Sequence, residues 1–362
     1  MLRRIVRVAP VALACLALAG CAAPVPTATS AAPIQLTFAS YSGISDDQQA
    51  FIDDLEKLTD NTVTIRVIEN WTPHDDGVES ISDEVTLTQA VAHGDVDLMF
   101  TSNRALPDLG IDGFRSLEAP MLITSRAAEK AIVSGTLGKR IQASVGPAGL
   151  TGLAVLPGLL RYPLTSGAPL VGPTDWAGKR IVYVHEPADE SVEARSIAAL
   201  GGVPAYEGLH LIDDITAGTV QGGADSINDL AEGGATPTGP FMTSNVVLWP
   251  NIRVVIANTA MLSRLSAAQR AAVETAGRDA FDAAMAADPA VGLGTAACAA
   301  AARFGTATPD QLAALKEAVK PVYDWLRTDP VEAATLTDLE GIAGDHPDAD
   351  VIDVPEGCAW TP

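Results

Sequence analysis

Few residues in this 362-residue chain are spaced for catalysis. A nucleophilic serine in a Gly-x-Ser-x-Gly elbow is missing. So is the His-Glu-x-x-His pattern that presents two zinc ligands on one helix face. The five histidines, His74, His93, His185, His210 and His346, lie far apart without metal-ligand spacing. Gly292-Leu293-Gly294-Thr295-Ala296-Ala297 partly imitates a dinucleotide-binding turn. It falls in an alanine-rich stretch with no strand before it, so a plain helix is expected there. Gly135 to Arg140 lacks the spacing and the final Ser or Thr of a phosphate loop. Asp345, Asp348, Asp350 and Asp353 could hold calcium. They lack the glycine and closing glutamate of a calcium loop, and a solvated acidic tail is the simpler reading. These residues do not support an enzyme, and no cofactor and no metal are expected.

The four cysteines carry more information. Three arginines, Arg3, Arg4 and Arg7, precede an apolar run from Val8 to Ala19 that is broken by Pro10. That is the layout of a secretory signal over residues 1–20. A bilayer-spanning helix needs about 20 apolar residues, which this run does not reach. It ends in Leu18-Ala19-Gly20-Cys21, which resembles the bacterial lipobox. The resemblance implies cleavage before Cys21 and acylation of its thiol with palmitate-type chains. Each buried methylene would contribute about 0.8 kcal/mol to the anchor. Residues 21–33 then form a flexible tether of Ala, Pro, Val, Thr and Ser after the cysteine. Cys15 leaves with the signal. Cys298 and Cys358 remain in an oxidising compartment, and a disulfide between them is expected. Two free buried thiols are the alternative.

The formal charge is −22, and loss of the three signal arginines takes it to −25. Such a charge opposes nucleic-acid binding and favours a soluble monomer on its tether. No later stretch reaches 18 uninterrupted apolar residues, so no second membrane span is expected.

The elements follow from periodicity. Ile34, Leu36 and Phe38 alternate as a strand, and Phe51, Leu55 and Leu58 recur at helical spacing within 46–58. Strands are expected at 62–67 and 96–100, with a helix at 86–92 between them. This β-α-β-α-β opening predicts α/β architecture with a largely parallel sheet. Further strands are expected at 150–156, 179–184 and 251–257, and a helix at 191–200. Ser266 to Gln269 and Thr308 to Gln311 are capping boxes. They should open helices running to about Ala287 and Arg327. The tail from Asp329 reads as acidic and loop-rich.

Local strings then carry a resemblance. They include Phe51-Ile52-Asp53-Asp54-Leu55-Glu56-Lys57-Leu58, Val91-Ala92-His93-Gly94-Asp95-Val96-Asp97-Leu98 and Leu117-Glu118-Ala119-Pro120-Met121-Leu122. Arg161-Tyr162-Pro163-Leu164-Thr165 and Pro173-Thr174-Asp175-Trp176-Ala177-Gly178-Lys179-Arg180-Ile181 follow in order. Leu200-Gly201-Gly202-Val203-Pro204, Ala217 to Gly222 and Leu265 to Arg270 complete the set. Together, over residues 36–327, they resemble the solute-binding proteins of TRAP (tripartite ATP-independent periplasmic) transporters. The resemblance implies a two-lobed periplasmic-binding-protein-like (type II) fold with long C-terminal helices. Lobe I would take 34–157 plus 248–290, and lobe II 158–247 plus 291–362. A small organic solute, mostly an acid in that family, would lie in the interlobe cleft for delivery to a membrane permease.

One departure affects the site. The arginine that family members usually carry after the Asp-Leu-x-Gly turn is replaced here by Val182. Arg180 shares its strand face, about 6.5 Å earlier, and is either a substitute or a surface charge. Arg161 matches a second family arginine and is the leading anionic contact, the alternative being a salt bridge to a neighbouring acid. Position nominates Trp71 and Asn103 at strand ends, Tyr183 beside Val182, Asp225 and Asn228 after a turn, and Asn245 and Trp249 on the return. The expected protein is an exported, lipid-anchored solute-binding subunit whose ligand is less acidic than usual or held by aromatic stacking. A binding lipoprotein serving a sensor, or an extracytoplasmic hydrolase, are the alternatives.

Overall fold

Alternation in the first strand has a direct consequence in the computed structural model, which describes residues 33–73, 82–184, 191–206, 211–232, 239–287 and 292–361. The expected signal, Cys21 and all of the expected tether but Pro33 lie outside these residues, as do His74, His185 and His210. Strand β1 (Ile34–Ala39) turns Leu36 and Phe38 into the core. Phe38, Phe51 and Phe100 meet there, with ring centroids 5.5–6.1 Å apart. The helix Asp46–Leu58 supplies Phe51 and opens with the Ser45–Gln48 capping box.

The remaining strands are β2 (Val63–Ile68), β3 (Leu98–Ser102), β4 (Leu150–Thr165), β5 (Arg180–Tyr183), β6 (Val203–Tyr206), β7 (Gly222–Asp225), β8 (Phe241–Thr243), β9 (Trp249–Asn258) and β10 (Arg303–Gly305). Their order is β2-β1-β3-β9-β4-β7-β5-β6, with β8 and β10 joined beside β4. Two halves result: β1–β3 with β9 and the start of β4, and β5–β8 with β10 and the end of β4. The expectation of a largely parallel sheet is corrected. β1, β2 and β3 are parallel, as are β5, β6 and β7, but β9 and β4 run antiparallel to their neighbours. Both of these strands pass between the halves in opposite directions, which makes the sheet mixed.

β4 is therefore a 16-residue strand that continues well past Leu156. Its register against β9 shifts between Leu156 and Leu159. At the shift, a Cβ on Gly158 would stand 1.5 Å from the Asn251 carbonyl oxygen. Only glycine permits this approach. The Gly158 peptide is also held by side chains. Its N–H donates to Glu129 Oε1 at 3.3 Å, and its carbonyl accepts from Arg126 Nη1 at 2.7 Å. The Glu129 carboxyl is fully buried, and burial lifts its pKa to about 8 despite Arg126.

Two helical expectations change. The helix from Thr308 stops at Ala318 and a second runs Lys320–Leu326, because Pro321 has no N–H to continue the ladder. The tail from Asp329 is not loop-rich, since Pro330–Asp345 is a 16-residue helix. Asp329 caps it by accepting from the Val331 and Glu332 N–H groups, and Pro330 fits its first turn. The helix docks through Glu332, whose buried carboxylate accepts from Gly113 and Ser116 N–H at 2.7 and 2.8 Å. Residues 293–299 form the plain helix expected of that stretch.

Beyond this helix, Asp350 is not simply solvated. Its carboxylate accepts from the Arg126 N–H at 2.8 Å, and its carbonyl accepts from the Tyr162 hydroxyl at 3.2 Å. Among the described residues no group of three or more His, Cys, Asp or Glu is arranged to hold a metal ion. The expected disulfide is present: Cys298 and Cys358 are bridged across a sequence separation of 60, with Cα atoms 5.9 Å apart. It pins the chain end beside β10, where Phe304 bridges Ala359. Replacing both cysteines with serine is expected to lower stability by about 2–5 kcal/mol, read as a lower urea midpoint. An unshifted midpoint would contradict this role.

Candidate functional site

The carboxyl ends of β1 and β3 open toward the second half, as the ends of parallel strands do in α/β binding sites. Tyr41 follows β1, and Asn103 and Arg104 follow β3. The helix Ser82–His93 brings Glu84 to the same place, where its carboxylate accepts from the Ser102 N–H at 2.6 Å. A short 3₁₀ turn, Arg115–Glu118, adds Glu118, which accepts from the Asn103 amide at 3.2 Å. From the second half, the helix Val192–Ala199 presents Glu193 in its first turn. Glu193 accepts from the Val184 N–H at 2.9 Å and faces Arg104 Nη1 at 3.5 Å. The Arg104–Glu193 pair thus joins the halves, and both side chains are at least nine-tenths buried.

Arg161, late in β4, stands beside this cluster. Its Nη1 donates to Asp225 Oδ1 at 2.9 Å and to Asp229 Oδ2 at 2.7 Å. Both bonds leave from one nitrogen, and the buried Nε has no hydrogen-bond partner. The guanidinium therefore keeps its Nε–Nη2 edge clear of these two acids. That edge matches the two oxygens of a carboxylate. Tyr41 feels the charges of Glu84, Arg104 and Arg161 together, so these groups surround one region.

Burial dominates the titration of the site. It raises Glu118 well above the usual carboxylate range, helped by the charge of Glu193. It also raises Glu193, although Arg104 opposes the shift. Asp225 is pushed up to about 7 by burial, against the pull of Arg161. Burial acts on Asp229 in the same sense, but the Arg161 charge and hydrogen bonds win and hold it below its ordinary value. The two aspartates compete for one nitrogen, so one keeps its charge and the other its proton. Tyr41 is held protonated by burial and by Glu84.

A pocket of about 170 Å³ borders the cluster, with Tyr41, Ser42, Glu84, Ser102, Asn251 and Arg253 in its wall. Arg253 is tied to Asp47 at 2.6 Å.

The structure gathers some of the sequence-nominated residues and disperses others. Arg161, Asp225 and Asn103 are in the cluster. Trp249 pairs with Arg161 in register and is buried. Tyr183 is buried with its ring 5.8 Å from Tyr206. Val182 packs into the apolar core with Tyr162 and Val220, while Arg180 is exposed at the start of β5. Asn245 is bonded both ways to Ala307 at 2.8 Å, which fastens two chain segments together. Asn228 lies half-buried on the helix Ile227–Glu232, and Trp71 packs against the first-half core. Sequence reasoning missed Tyr41, Glu84, Arg104, Glu118, Glu193 and Asp229. Arg104 directly follows the nominated Asn103, and Glu118 stands in a string already singled out. Glu84 and Glu193 gave no signal, because acids in a first helical turn are commonplace.

With this geometry described, comparison places the fold. A TRAP periplasmic solute-binding protein from Ralstonia eutropha, with bound (S)-2-acetolactate, matches with a TM-score of 0.75 at 19% identity, over 86% of this chain and 99% of that one. Its counterpart from a Sulfitobacter species, with bound β-D-galacturonate, matches at 0.73 and 14%, over 85% and 99%. One from Sulfurospirillum deleyianum, with bound succinate, matches at 0.70 and 16%, over 86% and 99%. No protein-family model and no curated protein matches the sequence. The chain has the α/β type II periplasmic-binding-protein fold with long C-terminal helices, and these structural neighbours are solute-binding proteins.

The raised Asp225 gives a signed pH dependence. Its contribution is complete below about 3.8, where the folded and unfolded chains both hold the proton. As pH rises toward about 7 the unfolded chain ionises first and stability is lost. Asp225→Asn should flatten this decline between pH 4 and 7 in denaturant titrations. An unchanged slope would show that Asp225 is ordinary.

Proposed function

We propose that this chain is an exported solute-binding lipoprotein of a TRAP-type uptake system, anchored through Cys21. It captures a small organic solute between its halves and delivers it to a membrane permease. On this reading the lobes take about 34–157 plus 248–290 and 158–247 plus 291–362, with the helix Pro330–Asp345 of the latter docked on Gly113 and Ser116 of the former. The observation that carries this reading is Arg161. An arginine that two acids hold in place, with its Nε–Nη2 edge clear of both, is a preorganised receptor for one carboxylate. It takes over the anionic contact from the position occupied by Val182, whose side chain lies in the apolar core. The fold supports the reading, because its solved neighbours hold acetolactate, galacturonate and succinate. Closure of the halves over the solute would bury it around Tyr41.

The test is a thermal-shift screen of the mature, unlipidated chain against organic and amino acids, followed by calorimetry on the hits. A solute at 100 times its Kd should add about 2.7 kcal/mol of stability. Arg161→Ala is expected to weaken binding by at least about 30-fold, the effect of truncating one partner of a buried charged pair. Binding that survives the substitution unchanged would remove Arg161 from the site. For the anchor, Cys21→Ala should move the protein from the membrane fraction to the soluble fraction. Retention in the membrane fraction would exclude lipidation at Cys21.

A further inference from the structure

The charge balance around Tyr41 does not suit a simple organic acid. Five carboxyl groups, on Glu84, Glu118, Glu193, Asp225 and Asp229, of which Glu118 and Asp225 hold their protons more readily, meet two guanidiniums, on Arg104 and Arg161. Arg104 already faces Glu193, and Arg161 already faces two aspartates. Among the described residues Glu118 forms no ion pair, and it takes its hydrogen bond from the neutral Asn103 amide. A dicarboxylate would bring one charge to Arg161 and a second into this excess of acids.

One buried acceptor beside Glu118 points to what belongs there. Asn103 is wholly buried, and its amide already reaches into the cluster through Nδ2. Its Oδ1 has no donor. An unpartnered acceptor in a buried site is costly unless something arrives to donate to it. A ligand group that donates hydrogen bonds and carries positive charge would serve Asn103 Oδ1, Glu118 and Glu193 together.

We propose that the solute is zwitterionic, with its carboxylate on the Nε–Nη2 edge of Arg161 and its cationic nitrogen against Glu118, Glu193 and Asn103 Oδ1. The proposal rests on the solute-binding reading and names the ligand class for that same site. It also implies proton traffic. Burial, with the charge of Glu193, favours the protonated form of the Glu118 carboxyl. When an ammonium group arrives, the Glu118 carboxyl gives up its proton to solvent and becomes the counter-ion. Binding of the zwitterion is therefore accompanied by proton release and strengthens as pH rises. A hydroxyl in place of the ammonium would satisfy Asn103 Oδ1 but would leave Glu118 protonated and release nothing.

Calorimetry with matched probes separates these cases. Amino acids would be titrated against their hydroxy-acid counterparts: alanine and lactate, serine and glycerate, aspartate and malate, γ-aminobutyrate and 4-hydroxybutyrate. The expected result is at least one amino member that binds tenfold or more tighter than its hydroxy partner. Its apparent heat should differ between buffers of high and low ionisation enthalpy by the amount that marks proton release. Glu118→Gln should erase that preference while the circular dichroism spectrum is unchanged. Hydroxy or dicarboxylic members that bind as well as the amino members would overturn the proposal and leave solute binding intact. So would a preference that survives Glu118→Gln, or, should that variant not fold, heats independent of buffer in the native chain. Silence across the whole panel would overturn both readings.

Discussion

β4 and β9 cross between the two halves side by side, and they do so at Gly158. A side chain there would collide with the backbone of Asn251. The register shift at the same point lets each strand leave one half of the sheet and enter the other. Arg161 lies three residues further along β4, and Trp249 opposite it on β9. The position of the arginine is therefore set by the crossing. Arg126 and Glu129 hold the Gly158 peptide from both sides, and Arg126 also reaches the Ala284 carbonyl in the long helix Ala267–Ala286. Asp350 ties the C-terminal segment to the same arginine's backbone. The disulfide farther along that segment fixes where Asp350 can sit.

Charge follows from this geometry. Parallel strands on either side of the crossing aim their carboxyl ends at one region, and the acids there lose water when the halves approach. Removing a carboxylate from water is expensive, so the groups respond by pairing or by keeping a proton. Arg104 with Glu193 and Arg161 with Asp229 are the pairs, while Glu118 and Asp225 keep protons more readily. The Arg104–Glu193 pair crosses between halves and links their separation to the electrostatics of the site. A solute that changes the protonation or pairing of these acids changes the same balance that holds the halves together.

Much of the fold was legible in the residues. Period-two alternation placed β1 and β2, and capping boxes at Ser266 and Thr308 opened helices where they are found. The two cysteines outside the signal-like and lipobox-like segments pointed to the disulfide. What escaped was decided at long range. The tail from Asp329 is a helix whose Leu336 and Leu339 are buried by neighbours distant in sequence. The antiparallel run of β9 depends on the crossing, which no local pattern encodes. At the site, Arg161 and Asp225 were singled out from an ordered set of weak strings, whereas Glu84 and Glu193 look like any acid in a first helical turn. Glu193 meets Arg104 only across the two halves.

The most direct measurement is a crystal structure of the mature chain with whichever solute raises its thermal midpoint most. The expected result is solute density bounded by Arg161, Tyr41 and the Arg104–Glu193 pair, with a carboxylate on the Nε–Nη2 edge of Arg161. A second pocket, of about 270 Å³, lies beside Arg115, Trp325 and Asp329 on the C-terminal helices. Density there, with the region around Arg161 unchanged, would contradict the assignment of the cluster as the solute site.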